Sequence, residues 1–144
     1  MSNEWYSVVV ITNEQKNKIA EIAKRHKLAL VVLFGSQATG HTHRRSDVDI
    51  GYVADKEIDY RENYEISMEM ARIFKNPDVE LVNIYNVAPD FKKQIADTGI
   101  VLYDGNESVF DLFKIHANRI YMETKSLRDY RLTYIKSFLQ RYAQ

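Results

Sequence analysis

The chain contains no cysteine, so it can form neither disulfide bonds nor zinc sites with thiolate ligands. This absence fits a reducing compartment. No apolar run approaches the length needed to cross a membrane, and residues Met1 to Glu4 lack the basic start of a signal peptide. We therefore expect a cytoplasmic protein that makes no contact with a membrane.

Net charge is also lacking, because 20 basic residues are matched by 20 acidic ones. A neutral chain is a poor nonspecific binder of nucleic acid, so we expect no direct binding of DNA or RNA. Glycine and proline are few, at five and two residues. With 144 residues, of which 45% are apolar, the chain is long enough for one domain with a real core.

One stretch carries most of the chemical information. An apolar run from Leu28 to Phe34 predicts a buried strand. The run closes at Gly35-Ser36, a basic turn follows, and a second strand is predicted from Val48 to Val53. Asp47 and Asp49 lie at the start of that second strand, so two acids and a glycine-serine corner are placed between two apolar segments.

Asp47 and Asp49 are two positions apart, which places both on the same face of a strand. Two carboxylates side by side repel unless a cation lies between them, and their oxygens suit magnesium, which usually also binds substrate phosphate. Glycine allows the backbone to approach closely, and adjacent N–H groups with the Ser36 hydroxyl can hold a phosphate. Taken alone, however, an Asp-x-Asp pair is more often the solvated acidic end of a strand.

The turn between the two strands is polar and basic. Arg44 and Arg45 can pair with the oxygens of a triphosphate through two hydrogen bonds each, or can lie in solvent. Arg45 is therefore a candidate for nucleotide binding, together with Gly35 and Ser36.

The rest of the chain shows the signals of alternating helices and strands. Capping pairs predict helix starts at Thr12 and Asp59, with Gln15 and Glu62 as partners three residues later. A third, short helix is predicted to start at Pro89. The predicted elements are helices 13–27, 60–74 and 89–98 and strands 28–34, 48–53, 79–84 and 100–103.

Glu80 stands out on the third predicted strand. Alternation places it on the same face as the apolar Val82 and Ile84. A single acid on an otherwise apolar strand face either has a purpose or has a cost. Glu80 is therefore a candidate functional residue.

The C-terminal segment has a different pattern. No proline or glycine occurs between residues 108 and 142, and apolar side chains recur there at helical spacing, which predicts one long helix or two joined helices. So small a sheet cannot cover the whole apolar stripe, and its tyrosines and arginines are typical of a binding surface. The alternatives are packing on the chain's own sheet and a contact between two copies.

Gly35-Ser36, ten further residues and then Asp47-Val48-Asp49, between two apolar strands, resemble the signature of the polymerase β nucleotidyltransferase superfamily. Gly40 and Ser46 also match its small members, the minimal nucleotidyltransferases or MNT proteins. The match covers roughly residues 28–105.

This resemblance implies an α/β (α+β) fold, in which a small mixed β-sheet has helices over one side. To this polymerase β-like core the chain adds its long C-terminal helix, at about residues 108–142. We expect a single nucleotidyltransferase domain over residues 1–144.

The resemblance also implies the site. In the superfamily a third carboxylate on the next core strand completes a site for two magnesium ions, and Glu80 falls there, where aspartate is usual. Asp47, Asp49 and Glu80 are thus implied as catalytic residues and metal ligands, with Glu80 helping the nucleophile to lose its proton. Ser36 and its backbone would hold the β- and γ-phosphates of ATP, so that pyrophosphate leaves in line.

Single-domain MNT proteins of this size look like the antitoxin half of HEPN/MNT toxin–antitoxin pairs. There the antitoxin moves AMP from ATP onto a tyrosine of the toxin, a ribonuclease. Two alternatives stay open: a nucleotidyltransferase acting on a small molecule such as an aminoglycoside, and a binding-only antitoxin with an inactive site. Enzymes that hold small acceptors usually need a second domain or a large insertion, and an intact Asp-x-Asp argues against an inactive site.

Overall fold

A computed structural model describes residues 10–35, 38 and 47–143 of the chain. Ser36 and Arg45 lie outside the described residues. The described residues form five helices and four strands. These are α1 (Asn13–Arg25), β1 (Leu28–Phe34), β2 (Val48–Ala54), α2 (Tyr60–Phe74), β3 (Val79–Asn83), α3 (Pro89–Thr98), β4 (Ile100–Asp104), α4 (Val109–Glu123) and α5 (Lys125–Tyr142).

The four strands form one mixed sheet in the order β3-β2-β1-β4. The central strand β1 runs antiparallel to both β2 and β4, whereas β2 and β3 are parallel. A parallel pair needs a crossover connection, and α2 supplies it between β2 and β3. The mixed sheet with its helices confirms the predicted fold class.

Both faces of the sheet are covered by helices, so the prediction of helices over one side only is wrong. Val31 and Leu33 of β1 belong to a core that includes residues of α1 and α2. Val32 and Phe34 belong to a second core, formed with α3 and α4. The continuous apolar run of β1 is the cause, because alternate side chains point to opposite faces and each face needs its own cover.

The first two helices begin where the capping pairs predict. The Thr12 hydroxyl accepts a hydrogen bond from the Gln15 N–H at 3.1 Å, and the Gln15 side chain accepts one from the Thr12 N–H at 3.0 Å. Asp59 caps α2 by accepting from the Glu62 N–H at 2.8 Å. These starts can be read from local sequence because each capping bond joins residues only three apart.

The C-terminal segment forms two joined helices, one of the two predicted arrangements. The first, α4, packs Phe113 and Ala117 into the second core. The second, α5, begins after Thr124 without a side-chain cap and has no buried residue. Across the part of the chain that the structure describes, no helix is both long enough and apolar enough to span a membrane.

Candidate active site

The carboxyl end of β1 and the amino ends of β2 and β3 meet at one end of the sheet. Phe34 lies opposite Asp49 in the antiparallel pairing of β1 with β2. Asp49 in turn lies opposite Glu80 in the parallel pairing of β2 with β3. Two of the predicted acids are therefore neighbours across the sheet, although 31 positions separate them in the chain.

Asp49 and Glu80 also share a face of the sheet. Their neighbours along each strand belong to the core beneath α1 and α2, so the two acids face the side covered by α3 and α4. Ile84, predicted to share the face of Glu80, lies in the second core on that side. Asp49 is half-buried, whereas Glu80 and Asp47, which comes just before β2, are exposed.

The pKa of the Asp49 carboxyl lies above its ordinary value. Partial burial is the largest cause, followed by the negative charge of Glu80 and then that of Asp47. Each nearby carboxylate makes it harder for Asp49 to lose its proton, because like charges repel. A cation bound among the three acids would relieve this repulsion.

Gly35 follows β1 directly and lies against the carboxylate of Asp49. Its φ of 73° is in the left-handed region, and a Cβ added to its backbone would overlap Oδ2 of Asp49. Any other residue would be strained here and would displace the acid. The Ala38 N–H donates to the Gly35 carbonyl oxygen at 3.2 Å. The phosphate contacts of Gly35, Ser36 and Arg45 stay predictions.

The acids at this end of the sheet suit magnesium in their chemistry, because this hard cation prefers carboxylate oxygens. Their positions are less complete: within residues 10–35, 38 and 47–143, no three His, Cys, Asp or Glu side chains stand close enough together to hold a metal ion. The fold brings Asp47, Asp49 and Glu80 to one end of the sheet without drawing them into one cluster. Their joint role as metal ligands stays a prediction.

Two neighbours of the site were not predicted from the sequence. The rings of Phe34 and Phe91 meet edge to face with centroids 5.4 Å apart, so the first turn of α3 lies beside the strand end that carries the site. The next residue, Lys92, is buried. Its spacing of three and four residues from the buried Ile95 and Ala96 is the signal that could have indicated this.

Residues 17–108 of the chain match the family described as "Polymerase beta, Nucleotidyltransferase". That range contains Gly35, Asp47, Asp49 and Glu80. The chain therefore belongs to the polymerase beta nucleotidyltransferase family, which confirms the family predicted from the spacing of the glycine-serine corner and the two aspartates.

Two relatives of this chain have the same name, protein adenylyltransferase MntA. The one from Shewanella oneidensis is 29% identical over 115 residues, which cover 78% of this chain and 81% of that protein. The one from Aphanizomenon flos-aquae is 32% identical over 124 residues, covering 80% of this chain and 83% of that protein.

Two solved structures of toxin–antitoxin complexes are also similar to this chain. A toxin–antitoxin crystal structure with AMP-PNP is 26% identical with a TM-score of 0.71, covering 84% of this chain and 98% of that chain. A complex of tri-AMPylated Shewanella oneidensis HEPN toxin with MNT antitoxin has a TM-score of 0.68 at 22% identity, covering 88% and 99%. The second likeness concerns the fold alone.

Proposed function

We propose that this chain is an antitoxin that transfers AMP from ATP to a tyrosine hydroxyl of a HEPN-family ribonuclease toxin and thereby neutralises it in the cytoplasm. The observation that carries the proposal is the placement of Asp49, which lies between Gly35 on one side and Glu80 on the other. The names of the two relatives, protein adenylyltransferase MntA, support a protein as the acceptor.

Each residue at the end of the sheet has a role in this reaction. The tyrosine oxygen attacks the α-phosphorus of ATP, the bond to the β-phosphate oxygen breaks, and pyrophosphate leaves. Glu80 is exposed at the edge of the site, where its carboxylate can take the phenol proton. Gly35 leaves room for the carboxylate of Asp49, and the Gly35 backbone, Ser36 and Arg45 bind the phosphates.

In this scheme Asp47, Asp49 and Glu80 would hold magnesium through their carboxylate oxygens. When bound, it would offset the charge of the phosphates and favour loss of the phenol proton. A phenol is a suitable nucleophile, because its pKa of about 10 is within reach of such activation. The attached AMP would add a bulky anion to the toxin, which can block RNA by charge and volume.

The toxin also needs a docking surface, and we assign this role to α5. Its exposed side chains form what we call the tail stripe: Leu127, Tyr130, Leu132, Tyr134, Ile135, Phe138, Leu139 and Tyr142. The helix has five basic residues and one acidic residue, a net charge of +4. Two tails paired with each other would repel, so an acidic surface of the toxin is the partner that this charge favours.

The direct test combines this protein, the HEPN-family protein encoded beside it, labelled ATP and magnesium, and maps the label by mass spectrometry. We expect label on a tyrosine of the toxin, and none with the Asp49→Asn variant. Label only on a small molecule would favour the first rival function. Equal neutralisation of the toxin by Asp49→Asn would favour a binding-only antitoxin.

A further inference from the structure

Lys92 is a buried cation on the side of the sheet that carries the candidate site. It is 7% exposed, and among the described residues it is the one charged side chain in the buried set. Its ammonium lies 3.1 Å from Nε2 of His116 on α4 and 5.8 Å from the ring centroid of Tyr85. We call these three residues the Lys92 cluster.

The cluster has a positive charge, and no acid among the described residues pairs with it. An ammonium group can only donate hydrogen bonds, so Nε2 of His116 must accept, and the imidazole is then neutral. Burial is the largest cause that lowers the pKa of His116, followed by the charges of Lys92 and Arg119. A buried charge with only neutral partners costs free energy unless something compensates it.

Three less buried lysines of the described chain are each paired with a carboxylate. Lys93, the next residue of α3, lies 2.7 Å from Asp97. Lys56 lies 2.8 Å from Glu62, and Lys125 lies 2.7 Å from Asp129. Lys92 forms no ion pair with a carboxylate of the described chain, although it is more buried than any of these.

The cluster adjoins the candidate active site through two contacts. Phe91, which precedes Lys92, packs against Phe34, the residue opposite Asp49. Tyr85 follows Ile84, whose side chain lies against Gly51 of β2, two positions after Asp49. Both contacts are on the face to which Asp49 and Glu80 point. Tyr85 is the member of the cluster with a large exposed surface, at 37%.

We propose that the Lys92 cluster is a phosphate-binding site that extends the candidate active site along α3 and α4. A phosphate oxygen would accept from the Lys92 ammonium and supply the negative charge that the cluster lacks. Two sources carry this chemistry: the triphosphate chain of ATP, and the phosphodiester that joins AMP to its acceptor. Only the choice between these sources rests on the proposed function.

The test measures binding to the isolated protein by calorimetry, without magnesium and without toxin. The probes are inorganic triphosphate, which has the charge of the ATP chain but no base, and the dinucleotide ApA, which has a phosphodiester. We expect wild type to bind one of them, and Lys92→Met to bind it about tenfold more weakly or worse. Binding of triphosphate assigns the site to the ATP chain, and binding of ApA assigns it to the diester.

Matched variants separate a binding role from a structural one. Lys93→Met removes the same charge one residue away and should bind both probes as wild type does. Lys92→Arg keeps the charge and should retain most of the affinity. Because Lys92→Met removes an uncompensated buried charge, its melting temperature should equal or exceed that of wild type. Lys92→Gln gives the same comparison if Lys92→Met does not fold.

Equal affinity of wild type and Lys92→Met for both probes, or the absence of binding to wild type, would overturn the proposal. Neither result depends on transfer to the toxin. Failure of AMP transfer with intact triphosphate binding would therefore contradict the proposed function and leave the phosphate site in place.

Discussion

Helices α2 and α5 have similar lengths, 15 and 18 residues, yet they differ in how they are capped and in what they bury. Asp59 caps the start of α2, Lys75 ends it with a left-handed φ of 51°, and Ile66 and Met70 are buried beneath it. Helix α5 has no side-chain cap and buries nothing. Arg128 of α5 contacts α4, with its guanidinium 3.6 Å from the ring centroid of Tyr121.

The difference follows from the number of faces that a sheet has. Helices α1 and α2 cover one face, and α3 and α4 cover the other, so no face of this sheet is left for α5. The apolar side chains of α5 are therefore left exposed, and we propose that a partner from outside the chain covers them. The sheet with its four helices therefore contains the buried cores and the candidate acids, and partner binding by the tail is our proposal.

The largest expected effect comes from removing the central acid. Asp49→Asn should lower AMP transfer by about a hundredfold or more, because a charge that acts in the transition state is lost. Affinity for the toxin should not change, since α5 is intact. Transfer is measured with labelled ATP and toxin, and binding by calorimetry. Full transfer by this variant would show that the active site does not lie at the amino end of β2.

A matched pair of substitutions tests the packing difference. Ile66 of α2 is 0% exposed, whereas Ile135 of α5 is 44% exposed. Ile66→Ala should lower the free energy of unfolding by about 2–5 kcal/mol, because it leaves a cavity in the core. Ile135→Ala should change it by less than about 0.5 kcal/mol. Urea unfolding of the two variants measures both values, and equal losses would show that α5 is packed in the free protein.

Deleting α5 from Lys125 onward tests the docking surface. Affinity for the toxin should fall by about thirtyfold or more, because the tail stripe contains the aromatic residues that dominate interfaces. The melting temperature should hardly change. Tyr134→Ala should weaken binding in the full chain, whereas Tyr60→Ala, an exposed tyrosine on α2, is its matched control. Unchanged affinity after the deletion would leave the stripe without a role in docking.

The smallest effect concerns pH. A carboxyl whose pKa is raised in the folded state keeps its proton to higher pH than it does in the unfolded chain. Between the ordinary pKa of aspartate and the raised value, the folded state binds more protons, so the free energy of unfolding falls as pH rises. Melting temperatures without magnesium should show wild type losing stability relative to Asp49→Asn across that window. A constant difference between the two proteins would contradict the electrostatic description of the site.

Local sequence predicted the elements well because the signals involved span only a few residues. The capping pair of Thr12 and Gln15, the proline at the start of α3 and the alternation around Glu80 each describe a segment without reference to the rest of the chain. The signature from Gly35 to Asp49 likewise indicated the family. Only these local patterns were needed for the class of protein.

Contacts between distant segments had no such signal. His26, at the end of α1, lies 3.0 Å from Glu62 and 3.6 Å from Glu69, both on α2. The side chain of Glu62 therefore joins two helices, whereas the sequence indicated only a role near the cap of α2. The overlap that requires a glycine at position 35 depends in the same way on the register of β1 against β2.

By itself, the sequence determined where the strands and the first helices begin, the candidate acids Asp47, Asp49 and Glu80, and the excess of apolar surface in the C-terminal segment. The tertiary structure alone decided that Asp49 lies opposite Glu80, that helices cover both faces of the sheet, that Lys92 is buried and that α5 covers nothing. The physical reason is that periodicity shows which side of a helix or strand must be buried. It does not show which element buries that side, because all the helices compete for the two faces of the sheet.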